Sequence, residues 1–555
     1  MDKNDFKNVA VAIVLSLAVL FGVEWFFPTD PVPSAVPYSS PVPADVQPVT
    51  PTADNKILPV LQEADDSPVI SIQSDTLTGS IRLKGARFDH LTLRSFKETL
   101  AKDSPDVTLL TPSYYAAFGM TGLTKGIDMP DDQTLWTADR EELTPETPVT
   151  LTWTNAQGIE FKRIIRLDKE YMFTVSDEVV NTSAHPVAFA ADGVIVRINP
   201  PETQVSTVHE GFVGVLDGSL REIKLKDLKD DQKESFTTTG GWMGLTEKYW
   251  LSALAFDQKL QNVSNVYSYQ SVQGKDVYSA YFVTPALTVP SGQRISNTSH
   301  FFAGPKELKL LADYQKDLGI EKFELAIDFG WFYFLTKPFL IILGFLNHFV
   351  GNMGVAILIF ATLLRLLLLP IAGKSYESMA KMRKLQPKLK DLQERYKNDK
   401  MRLNQEMMML YKKEKVNPAS GCLPLFIQIP IFFSLYKVLS VSIEMRQAPF
   451  FGWIQDLSAP DPSSVFTLFG LIPWDVPTFL NIGVWPVLMG ITMYLQQKMS
   501  PQVADKNQAM VLRWMPVLFM FMLGRFASGL VIYWTWSNVL SIIQQRYVMH
   551  KYGVD

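Results

Sequence analysis

The sequence contains almost no cysteine, since Cys422 is the only one among its 555 residues. One cysteine cannot form a disulfide within the chain, and it cannot build a metal site from several thiolates. A large domain in this chain must therefore be stabilised by its own hydrophobic core. The polar region from residue 57 to residue 320 is long enough to form such a core.

Patterns typical of catalytic and metal-binding sites are also missing. His90, His185, His209 and His300 are scattered without the spacing of metal ligands. The chain has no Gly-rich phosphate loop and no Gly-x-Ser-x-Gly nucleophile elbow. We therefore expect no metal, no cofactor and no enzymatic activity. A pair of carboxylates that cleaves sugars stays open as an alternative, because such a pair forms only in the fold.

No excess of one charge is present overall. The formal net charge is −4, from 52 basic and 56 acidic residues, and the mean hydropathy is +0.07. These averages hide a division, because the first half is polar apart from one N-terminal run and the second half has long apolar runs. Such a chain combines membrane spans with a soluble domain.

The first apolar run, residues 9–27, predicts a transmembrane anchor over residues 1–27. Lys3 and Lys7 precede the run and few positive charges follow it, which places the N-terminus in the cytoplasm. A cleaved signal peptide is the competing interpretation, but the run ends in bulky aromatic residues instead of a small-residue cleavage site. Residues 28–56 are rich in proline and predict an extended, semi-rigid linker.

Residues 57–320 show the residue alternation of a β-rich domain. Apolar and polar residues alternate in segments such as 69–74, 79–88 and 161–167, and turn signals separate these segments. We predict a large all-β sandwich on the periplasmic side of the membrane, which serves as a binding or scaffolding domain.

The composition changes after residue 320. Residues 321–349 are rich in aromatic residues and are broken by Lys337-Pro338, which predicts an interfacial amphipathic helix and a link instead of a span. Residues 350–371 predict the second transmembrane helix, and Arg365 lies inside this apolar run. A charge in the bilayer costs roughly 2.5–3.5 kcal/mol on insertion scales. Arg365 therefore either extends to the lipid headgroups or has a function.

A basic segment follows this predicted helix. Residues 374–416 contain thirteen Lys or Arg and six Asp or Glu, a net charge of +7. Apolar residues recur there at helical spacing, with a turn signal at residues 398–400. We predict a cytoplasmic helical hairpin over residues 372–418. It is either a solvated hairpin that fixes the topology or a docking surface for ribosomal RNA, anionic lipid or a targeting protein.

The remaining sequence predicts four more spans and two loops. The loop at residues 444–479 has few positive charges and is predicted to be periplasmic, whereas the loop at residues 500–508 is predicted to be cytoplasmic. Transmembrane helices 3 to 6 are predicted at residues 423–443, 480–499, 509–523 and 530–546. The predicted fold is thus multi-domain. It combines a polytopic α-helical bundle of six transmembrane helices, five of which form the core, with the sandwich, and both termini are cytoplasmic.

Several short motifs in the second half are specific to one family. They are Met379-Ala380-Lys381-Met382, Leu385-Gln386-Pro387-Lys388, Gln405-Glu406-Met407-Met408, Lys415-Val416-Asn417-Pro418, Gln428-Ile429-Pro430-Ile431-Phe432, Arg446-Gln447-Ala448-Pro449-Phe450 and Ser528-Gly529-Leu530. These motifs and the order of the parts resemble the YidC-type membrane protein insertases of the Oxa/Alb family, in their long Gram-negative form. The resemblance covers residues 328–547, and the sandwich is similar in position and general pattern.

The resemblance implies an insertase and chaperone of the bacterial inner membrane, which inserts, folds and helps assemble integral membrane proteins. Its substrates would pass through a hydrophilic groove that is open to the cytoplasm and the lipid and closed on the far side. The groove residues would be Arg365, Gln428, Tyr533 and Trp534. An apolar substrate segment would slide out past Leu425, Ile429, Phe433, Met515 and Phe519. Cytoplasmic docking would fall to Lys381, Arg383, Lys384, Lys388, Lys412 and Lys413.

The implied partners are nascent membrane proteins, membrane lipids and the Sec translocon with its accessory subunits. The ribosome and the signal-recognition-particle receptor are further candidates, and no small-molecule substrate is implied. Two positions differ from the family pattern. Ala361 stands where a threonine is expected, with Thr362 beside it, and Tyr533-Trp534 stands where two tyrosines are common. The polarity of the groove is therefore expected to differ in detail.

Two other classes of function remain as alternatives. A membrane-anchored carbohydrate-active enzyme would use the sandwich as its catalytic domain, so that deletion of most of the sandwich would abolish its function but spare an insertase. A small-solute transporter has less support, because no internal repeat relates the helical segments.

Overall fold

The computed structural model describes residues 66–201, 208–397, 399–414, 416, 423–467, 472, 477, 481–500 and 506–553. The predicted anchor at residues 1–27 and the Pro-rich linker at residues 28–56 lie outside the described residues, as does most of the predicted loop at residues 500–508.

Twenty β-strands form over the described residues, in two antiparallel sheets with one short parallel pair. In chain order they are β1 Val69–Gln73, β2 Leu77–Arg82, β3 Arg87–Lys97, β4 Asp106–Leu110, β5 Tyr114–Gly122, β6 Thr137–Ala138, β7 Glu142–Leu143, β8 Val149–Thr154, β9 Glu160–Leu167, β10 Met172–Val180, β11 Val187–Ile198, β12 Gly211–Leu216, β13 Ser219–Lys224, β14 Lys233–Thr238, β15 Trp242–Thr246, β16 Trp250–Ala255, β17 Val263–Val272, β18 Lys275–Val283, β19 Leu287–Val289 and β20 Arg294–Pro305.

The two sheets pack face to face as a sandwich. The first has the order β14-β17-β18-β11-β5-β3-β2-β1-β7, with β19 beside β11 and β4 beside β3; the second has the order β13-β12-β15-β16-β20-β10-β9-β8-β6. Phe88 of the first sheet contacts Phe173 and Phe301 of the second, at ring-centroid distances of 5.0 and 5.2 Å. Alternating residues fill this core, as in β10, where Phe173, Val175, Asp177 and Val179 are all buried. The predicted β-sandwich is therefore present.

A buried ion pair within the second sheet also reaches the first sheet through its arginine. Arg163 on β9 is 1% exposed, and its Nε donates to Oδ1 of Asp177 on β10 over 2.6 Å. Its Nη1 donates to the carbonyl oxygen of Phe118 on the opposite sheet, also over 2.6 Å, and the guanidinium lies 5.3 Å from the ring centroid of Trp136. The charge is thus neutralised and hydrogen-bonded within the protein, which is the condition under which a buried charge is tolerated.

Ten α-helices form over the described residues, two in or beside the sandwich and eight after it. They are α1 Leu225–Asp231, α2 Leu308–Asp317, α3 Tyr333–Val350, α4 Met353–Leu367, α5 Leu369–Arg395, α6 Lys400–Lys413, α7 Leu423–Val441, α8 Val484–Met499, α9 Lys506–Leu523 and α10 Ser528–Lys551, with 3₁₀ turns at Phe323–Ala326 and Ile443–Met445.

Helix α3 differs from the interfacial helix and link predicted for residues 321–349. It is continuous through Pro338, where the sequence predicted a break. Pro338 lies in the second turn, so the missing N–H removes a single intrahelical bond. The side chain of Thr336 is buried and donates to the carbonyl oxygen of Phe332 over 3.0 Å. Packing of α3 against α4 and α7 stabilises the continuous helix.

The predicted span at residues 350–371 is also different, because the helix ends at Leu367 and α5 begins at Leu369 after a bend of 67°. Pro370 explains the bend, since it lacks an N–H and its ring clashes with the carbonyl four residues earlier. The resulting α4 has 15 residues and is about 22 Å long. It starts from Asn352, whose side chain accepts a hydrogen bond from the amide of Val355 over 3.0 Å.

Of the helices in the described residues, α3 alone is long and apolar enough by itself to cross a membrane. The bent pair α4 and α5 passes the same test when taken together, and Phe426–Val441 and Met510–Leu523 are shorter apolar helices. The structure therefore has a β-sandwich followed by a helical region, and the number of spans stays a prediction.

Polar contacts fasten the sandwich to the helical region. Asp328, in the link before α3, accepts hydrogen bonds from Lys437 Nζ of α7 over 2.5 Å and from the amide of His209 over 3.0 Å. Burial by itself would raise the pKa of Asp328, but the hydrogen bond and charge of Lys437, together with the hydrogen bonds from the amides of His209 and Gly330, outweigh it and the pKa is lowered. The side chains of Arg446 and Gln447 donate to the carbonyl oxygen of Lys97 at the end of β3.

Lys306, which follows β20, is a second buried cation of the sandwich. Its side chain is almost completely buried, and Nζ donates to Oγ1 of Thr246 over 2.8 Å. Burial lowers the pKa of Lys306 to about 8, although the negative charges of Asp328, Glu210 and Glu247 act in the opposite direction.

Candidate functional site

Helix α4 carries Arg365 on its inner face. Ile357, Ala361 and Arg365 are spaced by four residues and share one side of the helix, and the first two are buried. Leu366 and Leu367, on the outer side, are 57% and 73% exposed. Arg365 lies in the last turn of α4, where the partial negative charge of the helix C-terminus favours a cation.

Helix α7 brings Gln428 towards the same place. Gln428 continues a stripe of buried residues on α7, which includes Ile431, Leu435 and Val438. The amide is therefore aimed at the interior of the helical region, and it is half-buried. Pro430, inside α7, does not interrupt the helix.

Helix α10 provides the third polar group, and a chain of hydrogen bonds connects the three helices. Tyr533 is buried, and its hydroxyl accepts a hydrogen bond from Gln428 Nε2 over 3.1 Å. Gln428 Oε1 in turn accepts from Arg365 Nη2 over 3.5 Å, which is a long and weak contact. The structure thus brings Arg365, Gln428 and Tyr533 together, and the half-buried guanidinium has no carboxylate within ion-pair distance among the described residues.

Trp534 has a different environment from its neighbour Tyr533. Its ring lies between Phe432 of α7 and Phe519 of α9, at centroid distances of 4.6 and 5.7 Å. It therefore joins two helices by aromatic contacts and does not take part in the hydrogen bonds around Arg365. A third aromatic residue of α10, Trp536, donates from Nε1 to Oγ1 of Thr362 over 3.0 Å, which ties α10 to α4.

The five predicted slide residues fall into different environments. Ile429 and Phe433 lie on the outer face of α7 and are 41% and 50% exposed. The side chain of Leu425 is outside the described part of the structure. Met515 and Phe519 on α9 are half-buried, on the side that packs towards α8 and α10.

Sequence reasoning missed the residues that form the outer face of α9. Trp514 and Leu518 are each 64% exposed there, and Phe426 is 60% exposed on α7, in line with Ile429 and Phe433. The spacing of four between Trp514 and Leu518 was the available signal. In an apolar run, however, spacing alone does not tell the outer face from the inner face.

The six predicted docking residues are spread over both helices of the hairpin. Lys384, Lys412 and Lys413 are exposed. Lys381 pairs with Glu377 one turn earlier, and Lys388 pairs with Glu414 across the hairpin, each over 2.8 Å. Arg383 is half-buried, and its Nη1 approaches the sulfur of Met549 on α10 at 3.4 Å. The exposed lysines are thus available to an anionic partner, whereas Lys388 and Arg383 also hold the hairpin in place.

The arrangement around Arg365 is suited to the attraction of an anionic group. A guanidinium is always charged and offers five N–H donors, while Gln428 and Tyr533 supply neutral polar groups. Within the searched, described residues, no group of His, Cys, Asp and Glu could hold a metal ion. The chemistry on offer is therefore reversible binding of an anionic or polar group beside an apolar helix face.

Comparison with known proteins finds similarity along nearly the whole chain. The family model described as "60Kd inner membrane protein" matches residues 345–554, and the model described as "YidC periplasmic domain" matches residues 69–342. The protein named membrane protein insertase YidC from Rickettsia akari (strain Hartford) is 45% identical, over 98% of this chain and 99% of the relative. The protein of the same name from Rickettsia prowazekii (strain Madrid E) is 44% identical over the same shares.

Two solved structures were also similar at low scores. A crystal structure of an active YidC insertase with its first transmembrane domain resolved has a TM-score of 0.36 and 17% identity, over 86% of this chain and 94% of that one. A galactose mutarotase related enzyme from Lactobacillus acidophilus has a TM-score of 0.32 and 11% identity, over 42% of this chain and 97% of that one. The family models and the Rickettsia relatives decide the assignment: the chain belongs to the YidC family of inner-membrane protein insertases, with a periplasmic domain.

Proposed function

We propose that substrates of this insertase enter a hydrophilic groove between α4, α7 and α10, open to the cytoplasm and to lipid. The observation that carries the proposal is the state of Arg365. It is half-buried, and its 3.5 Å contact goes to the neutral amide of Gln428. Its charge is therefore not neutralised by a neighbouring acid among the described residues, and it remains able to attract one.

The groove works by attraction followed by apolar burial. Two opposite charges 4 Å apart attract by about 1 kcal/mol in water and about 4 kcal/mol at an effective dielectric constant of 20. Arg365 thus holds an acidic substrate tail briefly inside the membrane plane. Burial of the substrate's apolar segment in lipid, at about 25 cal/mol per Å², then supplies the driving force without a nucleotide.

The apolar segment leaves along the outer faces of α7 and α9. Ile429 and Phe433 on α7 contribute the exposed contacts, together with Leu425 earlier in the same helix. On α9, Trp514 and Leu518 face outwards, and the predicted slide residues Met515 and Phe519 support them from the inner side. Trp534 holds the two helices in register by contacting Phe432 and Phe519.

The topology has six spans, five of which form the core, with both termini in the cytoplasm. The anchor at residues 1–27 is the first, and α4 (Met353–Leu367) and residues 423–443, 480–499, 509–523 and 530–546 supply the others. The net charge of +7 over residues 374–416 supports a cytoplasmic hairpin, and the low positive charge of residues 444–479 supports a periplasmic loop.

The partners follow from these surfaces. Nascent membrane proteins are the substrates, and the ribosome or the signal-recognition-particle receptor approaches the basic hairpin through Lys384, Lys412 and Lys413. The protein acts as an insertase and a folding chaperone, alone or beside the Sec translocon, and the sandwich provides the periplasmic scaffold. No small-molecule substrate is needed for this function.

The experiment compares Arg365→Ala and Arg365→Lys with Arg525→Ala, which removes an exposed arginine from the turn between α9 and α10. Each full-length variant is reconstituted in liposomes, and protease protection of substrates with acidic or neutral tails is measured. Arg365→Ala is expected to lower insertion of acidic tails about fivefold, which corresponds to ~1 kcal/mol of lost attraction. Arg365→Lys and Arg525→Ala are expected to insert both substrates normally. Normal insertion of acidic tails by Arg365→Ala would refute the proposal.

A further inference from the structure

The loop after α7 covers one end of the helical region. We call residues 446–467 the closing loop. The amide of Ser528 at the start of α10 donates to the carbonyl oxygen of Ala459 over 2.7 Å. The side chain of Asn352, which caps α4, donates to the carbonyl oxygen of Phe450 over 3.4 Å. The closing loop therefore reaches the N-terminal ends of two helices that carry groove residues.

Besides these hydrogen bonds, the closing loop makes close apolar contacts with the helix ends. Gly354 in the first turn of α4 has no room for a side chain, because a Cβ there would lie 2.0 Å from the ring of Phe450. Ile454 and Leu457 are fully buried, and the amide of Gly529 donates to the carbonyl oxygen of Leu457 over 3.0 Å. The closing loop therefore packs directly against the N-terminal ends of these helices and covers them.

A single carboxylate organises the closing loop. Asp461 is 7% exposed, and its Oδ1 accepts hydrogen bonds from Trp453 Nε1 over 3.0 Å and from the hydroxyl of Ser463 over 2.6 Å. Its Oδ2 accepts from the backbone amide of Trp485 over 2.9 Å. Asp461 thus connects two parts of the loop to the first turn of α8.

Helix α8 depends on this contact because it has no cap of its own. The residue before the helix is Gly483, which has no side chain, and a Cβ there would lie 2.4 Å from Cγ of Asp461. The hydroxyl of Ser463, oriented by Asp461, accepts from the amide of Val484 over 3.0 Å. Asp461 and Ser463 therefore satisfy the first two amides of α8, and the positive end of the helix dipole stabilises the carboxylate.

We propose that Asp461 is a positioning residue that holds the closing loop over the N-terminal ends of α4, α8 and α10 and thereby seals the far end of the groove against ions. This inference rests on the proposed function, since it takes the groove to be open towards the cytoplasm. Asp461 does not touch the substrate; it acts through the loop and through the first turn of α8.

The test uses full-length protein in liposomes that contain the pH-sensitive dye pyranine. After an acid pulse outside, Asp461→Ala is expected to admit protons roughly 5- to 30-fold faster than the wild type, the range that follows from the loss of 1–2 kcal/mol of capping free energy. Asp461→Asn keeps the shape of the side chain and one acceptor oxygen. Its amide nitrogen cannot accept a hydrogen bond from Trp485, so a smaller increase in the rate of proton entry is expected. In both variants, the amides of Val484 and Trp485 are expected to exchange hydrogen faster.

The matched control is Asp456→Ala in the same loop. The carboxylate of Asp456 accepts hydrogen bonds from the amide and hydroxyl of Ser458, two residues later, and does not contact α8. Its removal is expected to leave the proton leak unchanged. The proposal would be overturned if Asp461→Asn and Asp461→Ala both leaked no faster than the wild type, or if Asp456→Ala leaked as fast as Asp461→Ala.

The same liposomes separate this proposal from the groove itself. Arg365→Ala is expected to lose insertion of acidic tails without a proton leak, whereas Asp461→Asn is expected to leak while it still inserts them. If Arg365→Ala inserts normally, the groove proposal fails and the exchange of the α8 amides still decides whether Asp461 holds the loop.

Discussion

Arg163 in the sandwich and Arg365 in the helical region both lie on the inner face of a regular element, but their surroundings differ. Arg163 is almost completely buried, bonds to both oxygens of Asp177 and also reaches the carbonyl oxygen of Phe118. Arg365 is half-buried, and its contact with Gln428 is 3.5 Å long. The charge of Arg163 is neutralised by Asp177, whereas Arg365 has no counter-charge among the residues that the structure describes.

This difference separates a structural charge from the charge that we propose acts on substrates. A buried pair loses its hydration and regains that free energy only through good geometry and complete hydrogen bonding. Arg163 meets that condition, so little of its field extends beyond the pair. Arg365 does not meet it, so that its field reaches into the surrounding space and an anionic group can respond to it.

The largest effect is expected when the sandwich pair is broken. Arg163→Ala leaves Asp177 as an unpaired buried carboxylate, and we expect a loss of about 3–5 kcal/mol in the free energy of unfolding of the sandwich. Hydrogen exchange of the amides of β9 and β10 in the full-length protein measures this loss.

The matched variant replaces both charges, Arg163→Met with Asp177→Leu. It leaves no unpaired charge, so we expect it to recover most of the lost free energy. If Arg163→Ala lost less than about 1 kcal/mol, the pair would be no stronger than an exposed one and the contrast with Arg365 would fail.

Lys306 is intermediate between Arg163 and Arg365, because it is a buried cation whose hydrogen-bond partner is a neutral hydroxyl group. Burial lowers the pKa of Lys306 from 10.5 to about 8. The unfolded chain therefore binds more protons between pH 8 and pH 10.5, and this group makes the folded state more stable as the pH rises through that window. Lys306→Met is expected to remove this rise, which amounts to roughly 2–4 kcal/mol.

The measurement is the difference in free energy of unfolding between the wild type and Lys306→Met at pH 7 and at pH 10. Titrating tyrosines contribute equally to both proteins and cancel in that difference. Equal pH slopes for the two proteins would show that Lys306 keeps an ordinary pKa in the fold.

The smallest effect is expected from Gln428→Glu, which would give Arg365 a partner like that of Arg163. The new carboxylate would neutralise the guanidinium, so we expect insertion of acidic tails to fall about fivefold, or ~1 kcal/mol, while neutral tails insert as before. Gln455→Glu in the exposed part of the closing loop is the matched control.

This variant also decides how the charge of Arg365 acts. Undiminished insertion by Gln428→Glu, together with impaired insertion by Arg365→Ala, would mean that Arg365 keeps the groove hydrated and does not attract the substrate.

Periodicity and composition predicted the sandwich and the order of the helical segments, because alternation and apolar runs are local properties of the chain. They did not predict the ion pair of Arg163. Alternation places Arg163 on the same face as Phe161 and Ile165, but the strand itself does not show that Asp177 on the neighbouring strand neutralises it. They also missed the end of α4 at Leu367, although Pro370 was visible in the sequence.

The groove residues were predicted from the family resemblance, and the structure separates their environments. Tyr533 contacts Gln428. Trp534, one residue later, is rotated by about 100° around the helix axis and therefore contacts the aromatic residues of α7 and α9. The contact of Asp461 with α8 had no signal in the sequence, since the amide of Trp485 that it accepts from lies 24 positions further along the chain.

The bend between α4 and α5 separates the helix that carries Arg365 from the helix that begins the basic hairpin. Helix α5 has 27 residues and is about 40 Å long, so a rotation of about 7° at the bend moves its far end by about 5 Å. Helix α4, on the other side of the bend, stays packed against α3 and α10. We therefore expect a partner that binds the hairpin to displace α5 only by breaking its contacts with α10, such as that of Arg383 with Met549, while the guanidinium keeps its position.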